Sequence, residues 1–424
     1  MLDINLIRTK PDWVKQQLLK RVDKVDFTEL LRADEERRKL LQEVETLRAK
    51  RNSVTGDIAR IKKEKGNADK LITEMQKIGE LIASNETKLG ALDTKIFDIL
   101  VSLPNIPADG VAPGGKENNK VINSFGKKPN FTFKPKDHVE LCTSLGLVDY
   151  ERAAKISGAG AWIYSGTGAI LEWALLNYFI DFHIKNGYKF MLVPHLLNYE
   201  SGYAAGQFPK FADDVFITNF DADIKKSKFL LPTSETALIN VHRNEVIPAD
   251  VLPIKYAGFS PCYRKEAGSY RTSERGMIRG YQFNKVEMFI FCKSEDSENF
   301  HKELVRNAEK LVEGLGLHYQ TSLLAAGDMS SAMAKTYDVE VWLPSLNDYK
   351  EVSSISNGMC YQPRRAMIRT KGANGNEFVH ALNASGLATS RLVPAIVEQF
   401  QNADGSVNVP EVLHKYMHGI KVIK

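Results

Sequence analysis

The chain lacks the cysteine patterns that bind zinc or form disulfide frameworks. Only four cysteines occur among 424 residues, they lie far apart, and no two of them make a C-x-x-C pair. They are Cys142, Cys262, Cys292 and Cys360. The spacing therefore predicts neither a zinc ribbon nor a disulfide scaffold, and a reducing, cytoplasmic setting is the simplest interpretation.

Long apolar runs are also missing. The most apolar stretch, residues 174–184, is interrupted by Asp181 and is much shorter than the roughly 18 apolar residues that a spanning helix needs. The first ten residues contain no unbroken apolar core, so no signal peptide or organelle presequence is predicted. A membrane protein is not expected.

Two common nucleotide-binding motifs are absent. Neither G-x-G-x-x-G after a strand nor G-x-x-x-x-G-K-[ST] occurs, so a Rossmann site and a P-loop are not supported. The net charge is only +5, which suits a phosphate-bearing partner if the basic residues cluster but does not require one. With 43% hydrophobic and 26% charged residues, the composition is that of an ordinary globular protein of two or three domains.

Proline is missing from residues 27–101, where apolar residues follow the 4-3 spacing of a coiled coil. The pattern reverses near residues 66–69, which suit a turn, so it predicts two antiparallel helices of about 38 residues, each roughly 55 Å long. The first seam comprises Leu40, Val44, Leu47, Arg51, Val54, Ile58 and Ile61, and the second comprises Met75, Ile78, Ile82, Asn85, Leu89, Leu92 and Ile96.

Heptad spacing alone permits three antiparallel registers, in which the numbers of facing residues sum to 129, 136 or 143. Only the 136 register sets the two polar seam residues, Arg51 and Asn85, opposite each other. The other two bury Arg51 against an apolar side chain unless its guanidinium snorkels to water. The sequence therefore favours the 136 register.

A two-helix arm of this length is typical either of a structural, dimerising coiled coil or of a rod that binds an extended partner. Six basic residues lie off the seam or towards the tip, and such a face either is simply solvated or follows a phosphate backbone. These residues are Arg48, Lys50, Arg60, Lys62, Lys63 and Lys65.

Beyond the arm, residues 104–130 are rich in proline and glycine and are predicted to be a linker. Helical stretches at 171–186 and 297–314 then alternate with β-rich runs at 282–292 and 339–356. Because few crossover helices separate these runs, an α+β domain on an antiparallel sheet is predicted. The expected organisation is an N-terminal domain over 1–103 with the arm at about 27–101, the linker, and a second domain over 131–424.

A strand–loop–strand candidate runs from Cys262 to Glu287. On a strand, Arg279, Phe283 and Glu287 differ by even numbers and share one face. An arginine can bind a phosphate through two hydrogen bonds, and a phenylalanine can stack on a purine. Each residue alone would more often be an ordinary surface or core residue, so the combination carries the argument.

Further segments make the pattern specific. Three motifs mark class II aminoacyl-tRNA synthetases, and the chain has a match to each. Pro194 lies in the first motif, residues 264–283 span the second, and residues 386–391 form the third. Segments 231–235 and 327–344 add further signatures. Over nearly its whole length, arm included, the chain resembles the bacterial-type seryl-tRNA synthetase family.

The resemblance implies roles for particular residues. The residues that it assigns to ATP are Arg264, Glu266, Arg279, Phe283, Glu351, Ser354 and Arg391. Those that it assigns to serine are Thr233, Glu235, Arg264, Glu287, Asn383 and Ser385. Glu351 and Ser354 would also hold Mg²⁺, and Arg264, Glu287 and Arg391 are expected to act in catalysis.

The implied reaction activates L-serine with ATP and then transfers the seryl group to the 3′ end of a serine tRNA. The resemblance also implies a homodimer whose arm grips the long variable arm of the tRNA in trans, with no membrane or DNA partner. Two alternatives stay open: a paralogue that delivers serine to another acceptor, and a non-catalytic RNA-binding protein. Departures from the family pattern at residues 269–276 and at Tyr281 bear on the contacts to the tRNA acceptor end.

Overall fold

The computed structural model describes residues 1–218, 223–266, 276–372 and 375–424. The described residues form two compact units. The smaller unit comprises Leu2–Leu19 and Asp23–Pro104, and the larger comprises Met1, Lys20–Val22 and Asn105–Lys424. The departures noted at 269–275 lie outside the described residues. Among the helices of the described ranges, none combines the length and apolarity needed to cross a bilayer.

Helices occur throughout the chain. Within the described residues they are α1 (Ile4–Thr9), α2 (Pro11–Leu18), α3 (Thr28–Lys63), α4 (Asp69–Ser102), α5 (His138–Ser144), α6 (Tyr150–Ser157), α7 (Thr167–Lys185), α8 (Tyr199–Ala205), α9 (Ser234–Leu238), α10 (Ser297–Gly314), α11 (Tyr361–Ala366) and α12 (Thr389–Gln399).

Strands are confined to the larger unit. Within the same ranges they are β1 (Lys120–Phe125), β2 (Val148–Asp149), β3 (Ile163–Tyr164), β4 (Lys189–Leu192), β5 (Leu196–Asn198), β6 (Ile217–Thr218), β7 (Lys228–Leu230), β8 (Val246–Ile247), β9 (Ile254–Tyr263), β10 (Gln282–Cys292), β11 (Tyr319–Leu323), β12 (Lys335–Leu343), β13 (Asp348–Asn357), β14 (Arg369–Gly372), β15 (Gly375–Phe378), β16 (His380–Ala388), β17 (Val407–Asn408) and β18 (Val422–Ile423).

The smaller unit contains the two-helix arm, α3 and α4, that the proline-free stretch predicts. The turn joins them at residues 64–68, and Asn67 Oδ1 accepts the backbone N–H of Asp69 at 2.8 Å where α4 begins. Ion pairs connect the helices, and their residue numbers sum to 130, 134, 124 and 124. The pairs are Arg37–Asp93, Arg48–Glu86, Lys50–Glu74 and Glu29–Lys95.

These pairs contradict the predicted register. With facing numbers that sum to 136, Lys50 and Glu74 would be twelve positions apart along the arm, about 18 Å, which no ion pair spans. The observed sums centre near 129. That register places Asn85 opposite Val44, while Arg51 is exposed. The prediction was wrong because the long arginine side chain can leave the seam and keep its charge in water.

Asn85 gives a direct test of the register. Its side chain is 5% exposed and its Nδ2 has no hydrogen-bond partner within the described part of the chain, so we expect Asn85→Leu to stabilise the arm by about 1–2 kcal/mol. Hydrogen-exchange protection of the arm amides in the intact chain measures the effect. Gln76→Leu, at an exposed position of the same helix, is the control and should change little. Loss of protection in Asn85→Leu would favour a register in which Asn85 has a polar partner.

The larger unit is built on an eight-stranded sheet in the order β1-β11-β12-β13-β16-β10-β9-β4. All neighbours are antiparallel except β4 and β9, so the predicted α+β class is confirmed. Alternation along β10 divides its side chains between two cores. Met288 and Ile290 pack with α7, α10 and α12, whereas Phe289 and Phe291 pack in a second core with α8 and α9.

One predicted segment differs in kind. The stretch 104–130, expected to be a linker, contains β1, which forms an edge of the large sheet by pairing with β11. All six residues of β1 are exposed, so the strand has none of the apolar–polar alternation by which a half-buried strand is recognised. Helix α10, by contrast, has the predicted bounds.

Candidate active site

The candidate site lies on the face of β10 that carries Phe289 and Phe291. Phe283, Lys285 and Glu287 lie on the same face, because every second side chain of a strand points to the same side of the sheet. Strand β16 runs beside them with an irregularity in the pairing, so that Glu287 lies opposite Ser385 and Lys285 lies opposite Ala388. The site is therefore anchored on rigid central strands.

A cavity of about 490 Å³ opens over this face. A smaller pocket adjoins it and adds two of the expected residues, Phe283 and Arg391, to the wall. The structure thus brings together every residue that the resemblance assigns to ATP or serine. Those on the main cavity are Thr233, Glu235, Arg264, Glu266, Arg279, Glu287, Glu351, Ser354, Asn383 and Ser385.

Lys285 is the centre of the buried polar network in the cavity. Its Nζ forms an ion pair with Glu287, donates to Thr233 Oγ1 at 2.8 Å and lies 3.4 Å from Ser385 Oγ. The side chains of Lys285 and Glu287 are only 6% and 2% exposed. Lys285 was not among the residues predicted from the sequence, although it lies between Phe283 and Glu287 at the same spacing of two.

Glu235 lies in the first turn of α9, and Thr233 is the residue that caps this helix. Glu235 Oε1 accepts a hydrogen bond from Gln362 Nε2 at 2.6 Å. Burial, together with the negative charge of Glu287, raises the pKa of Glu235 to about 7. The charge of this carboxyl therefore changes near neutral pH.

The other end of the cavity is lined with arginines. The Arg264 guanidinium lies 5.1 Å from the centre of the Phe283 ring, and Arg279 forms an ion pair with Glu266 at 3.2 Å. Arg279 precedes β10, which begins at Gln282, so the prediction that it shares a strand face with Phe283 and Glu287 was wrong. It lines the cavity from the preceding turn instead.

Oxygen ligands gather on β12 and β13. Arg391 Nη1 donates to the Glu351 backbone carbonyl at 2.6 Å, and Ser354 pairs across the strands with Asp338. Asp338 is 8% exposed, and its Oδ1 has no hydrogen-bond partner among the residues that the structure describes. Burial together with the nearby Glu351 raises the pKa of Asp338. Within the described ranges no three His, Cys, Asp or Glu side chains are placed to hold a metal. The side-chain oxygens of Glu351 and Ser354, with the carboxylate of Asp338 nearby, nevertheless fit Mg²⁺. This ion usually keeps several water ligands and binds one or two protein oxygens together with substrate phosphates.

The six arm cations fall into two sets. Arg48, Lys50 and Arg60 form ion pairs with carboxylates of the arm itself. The tip lysines are exposed and have no ion pair within the described part of the chain. They are Lys62, Lys63 and Lys65.

Two family models match the chain. The seryl-tRNA synthetase N-terminal domain matches residues 1–107, and the tRNA synthetase class II core domain (G, H, P, S and T) matches residues 218–400. A protein of Clostridium acetobutylicum named serine–tRNA ligase 2 is 56% identical over 420 residues, which are 98% of this chain and 99% of the relative. The chain belongs to the seryl-tRNA synthetase family. A serine–tRNA ligase of Thermodesulfovibrio yellowstonii is 46% identical over the whole of both chains.

Solved structures of the family agree with this assignment. The seryl-tRNA synthetase of Pyrococcus horikoshii complexed with ATP is 34% identical and superposes with a TM-score of 0.92, covering 100% of this chain and 99% of its own. The cytoplasmic serine–tRNA ligase of Naegleria fowleri in complex with AMP is 27% identical, with a TM-score of 0.88 over the same shares. The fold of both units is thus the fold of the family.

Proposed function

We propose that the chain is a serine–tRNA ligase, which activates L-serine with ATP to seryl-adenylate and pyrophosphate and then transfers the seryl group to the 3′ end of a serine tRNA. The observation that carries the proposal is one cavity with two kinds of wall. A buried cluster around Lys285 and Glu287 suits a small polar amino acid, and the arginines beside Phe283 suit a nucleotide.

In the amino-acid half, Glu235 and Thr233 receive the ammonium group, and Arg264 receives the carboxylate. Glu287 and Ser385 face the side-chain hydroxyl, with Asn383 beside them. A pocket whose buried polar groups are satisfied by a hydroxyl rejects alanine strongly, because alanine would leave these groups unpaired. The buried lysine holds the carboxylate of Glu287 ready for this hydrogen bond.

In the nucleotide half, Phe283 and Arg391 flank the adenine, Glu266 accepts from its amino group and Arg264 holds the α-phosphate. The serine carboxylate oxygen attacks the α-phosphorus, and the bond from that phosphorus to the β-phosphate oxygen breaks to release pyrophosphate. Arg264, Arg279 and Arg391 are fixed charges that offset the charge on the phosphates. Bound Mg²⁺, held by Glu351 and Ser354, would supply further charge neutralisation there.

In the second step, the 3′-hydroxyl of the terminal adenosine attacks the adenylate carbonyl and AMP leaves. Neither step needs a protein nucleophile. Catalysis therefore depends on the positioning of the reacting groups and on the fixed charges of the cavity. The exposed lysines at the arm tip supply a surface for the phosphates of the tRNA variable arm.

An exposed apolar strip on the larger unit supports a homodimer. Leu192 on β4 is 74% exposed, and Trp173 and Ile184 on α7 are 55% and 50% exposed. Strand β4 forms the second edge of the large sheet and is followed by Pro194. Exposed apolar surface along an unpaired edge strand is the kind of surface that a second copy covers. Sedimentation velocity of the full chain tests the dimer.

The function is tested by amino-acid-dependent ATP–pyrophosphate exchange with serine, threonine, alanine and cysteine, followed by charging of total tRNA. We expect exchange with serine in strong preference to the other three, and charging with serine. Exchange without charging would favour the paralogue that delivers serine to another acceptor. Absence of serine-dependent exchange would contradict the proposal.

A further inference from the structure

A buried glutamine links Glu235 to the wall of the cavity. Gln362 on α11 is fully buried, and its Nε2 donates to Glu235 Oε1 at 2.6 Å and to the Ala205 carbonyl at 2.9 Å. Both neighbours of this nitrogen are acceptors, and this fixes the orientation of the amide. A flipped amide would place oxygen against two oxygens.

The other half of the amide is left unsatisfied. Gln362 Oε1 has no hydrogen-bond partner among the described residues, although buried polar atoms are nearly always paired. A residue chosen only to fill this space would be apolar, because burying an unpaired carbonyl has an energetic cost. The side chain is therefore explained by what its two N–H groups hold.

Those N–H groups hold two parts of the amino-acid subsite. Ala205 ends α8 and lines the cavity, as does Glu235. The second carboxylate oxygen of Glu235, Oε2, has no hydrogen bond from any residue that the structure describes. The amide thus occupies one oxygen of Glu235 and leaves the other for a ligand in the cavity.

We propose that Gln362 is a positioning residue for the amino-acid subsite, which keeps Glu235 ionised and aims its second oxygen at the ammonium group of the substrate. The inference rests on the proposed function. Gln362 is not among the residues that line the cavity, so its effect on the substrate passes through Glu235, with the Ala205 carbonyl as the second anchor of the amide.

The electrostatics of Glu235 explain why it needs such a partner. Burial and Glu287 favour the protonated form of Glu235, whereas Lys285, Arg264 and the Gln362 amide favour the carboxylate. A neutral carboxyl cannot form an ion pair with an ammonium group. Removing the two N–H donors therefore raises the pKa of Glu235 further and weakens binding of the amino acid at neutral pH.

The test is serine-dependent pyrophosphate exchange by Gln362→Met, which keeps the volume and removes both donors. At pH 7 we expect the KM for serine to rise at least tenfold, while the KM for ATP and kcat change less than threefold. The defect should shrink as the pH rises from 6.5 to 8.5, because Glu235 ionises in that direction. A merely structural role would not produce this pH profile.

Gln399→Met is the matched control. Gln399 lies on α12, is also buried, and is not among the residues that line the cavity. Its Nε2 donates to the Trp342 carbonyl at a distance of 2.8 Å. Its replacement should leave both KM values within twofold. If Gln362→Met does not fold, Gln362→Leu replaces it, because leucine also removes both donors and adds no charge. We expect the same rise in the serine KM and the same dependence on pH.

Equal rises in the KM for serine and for ATP, or a serine KM within twofold of the parent at every pH, would overturn the role of Gln362. These outcomes presuppose a parent enzyme that exchanges pyrophosphate with serine. A parent that does not do so contradicts the proposed function instead, so the two failures are distinguishable.

Discussion

Replacement of Lys285 by methionine is expected to lower kcat/KM for serine-dependent pyrophosphate exchange roughly a hundredfold to a thousandfold. Breaking a buried ion pair by removing one partner costs about 3–5 kcal/mol, because the remaining charge stays buried without compensation. The charge left behind is that of Glu287, whose side chain is almost fully buried. The other carboxylate of the subsite, Glu235, would also lose a nearby cation.

The loss should be concentrated on serine. Lys285 also donates to Thr233 Oγ1, so methionine removes the shortest of the hydrogen bonds that hold this hydroxyl. Because the proposed ATP contacts are at the arginine end of the cavity, we expect the KM for ATP to change less than threefold. Steady-state exchange kinetics at varied serine and at varied ATP separate the two effects.

Lys335→Met provides the control for this substitution. Lys335 begins β12, is partly buried and pairs with the exposed Glu298 at 2.9 Å outside the cavity. Its replacement removes a lysine that is 15% exposed from an ion pair outside the cavity, and exchange should stay within twofold of the parent. If Lys285→Met kept exchange within tenfold of the parent while folding normally, Lys285 would be a structural cation rather than part of the subsite.

The sequence was sufficient to predict the strand that carries the site, but not the buried lysine at its centre. Strand periodicity and the motif residues are local, so β10, Phe283 and Glu287 could be identified from the sequence. A lysine between these two residues is expected to be exposed unless the burial of the strand is known from the structure. Gln362 gave no signal at all, because the carboxylate it serves is 127 positions away along the chain.

The register of the arm also could not be predicted from local sequence spacing. Periodicity found both helices and the turn, but three registers satisfied the same spacing. The choice among them depended on whether Arg51 stays in the seam, and its side chain is exposed. Long cations make a polar seam position weak evidence for a register, since their charge can reach water.

Removal of the outer arm is expected to separate the two steps of the reaction. Arg37 and Asp93 pair across the helices, so residues 38–92 can be replaced there by a short Gly-Ser linker while the buried residues Leu30 and Ile96 remain. We expect pyrophosphate exchange within threefold of the parent, because no residue of the cavity is touched. Charging of serine tRNA should fall at least a thousandfold in kcat/KM, because the surface that we propose binds the tRNA phosphates is lost.

A charge variant distinguishes loss of phosphate contacts from loss of the arm as a scaffold. Replacing Lys62, Lys63 and Lys65 together by alanine leaves the helical pattern but removes the exposed tip lysines, and each lost phosphate contact weakens binding and flattens its salt dependence. Charging should then fall roughly tenfold to a hundredfold, with a shallower dependence of the KM for tRNA on salt. Lys302→Ala with Lys310→Ala, two exposed positions on α10, should leave both unchanged. An unchanged salt dependence in the tip variant would mean that the ion-paired cations Arg48, Lys50 and Arg60, and not the tip lysines, contact the tRNA.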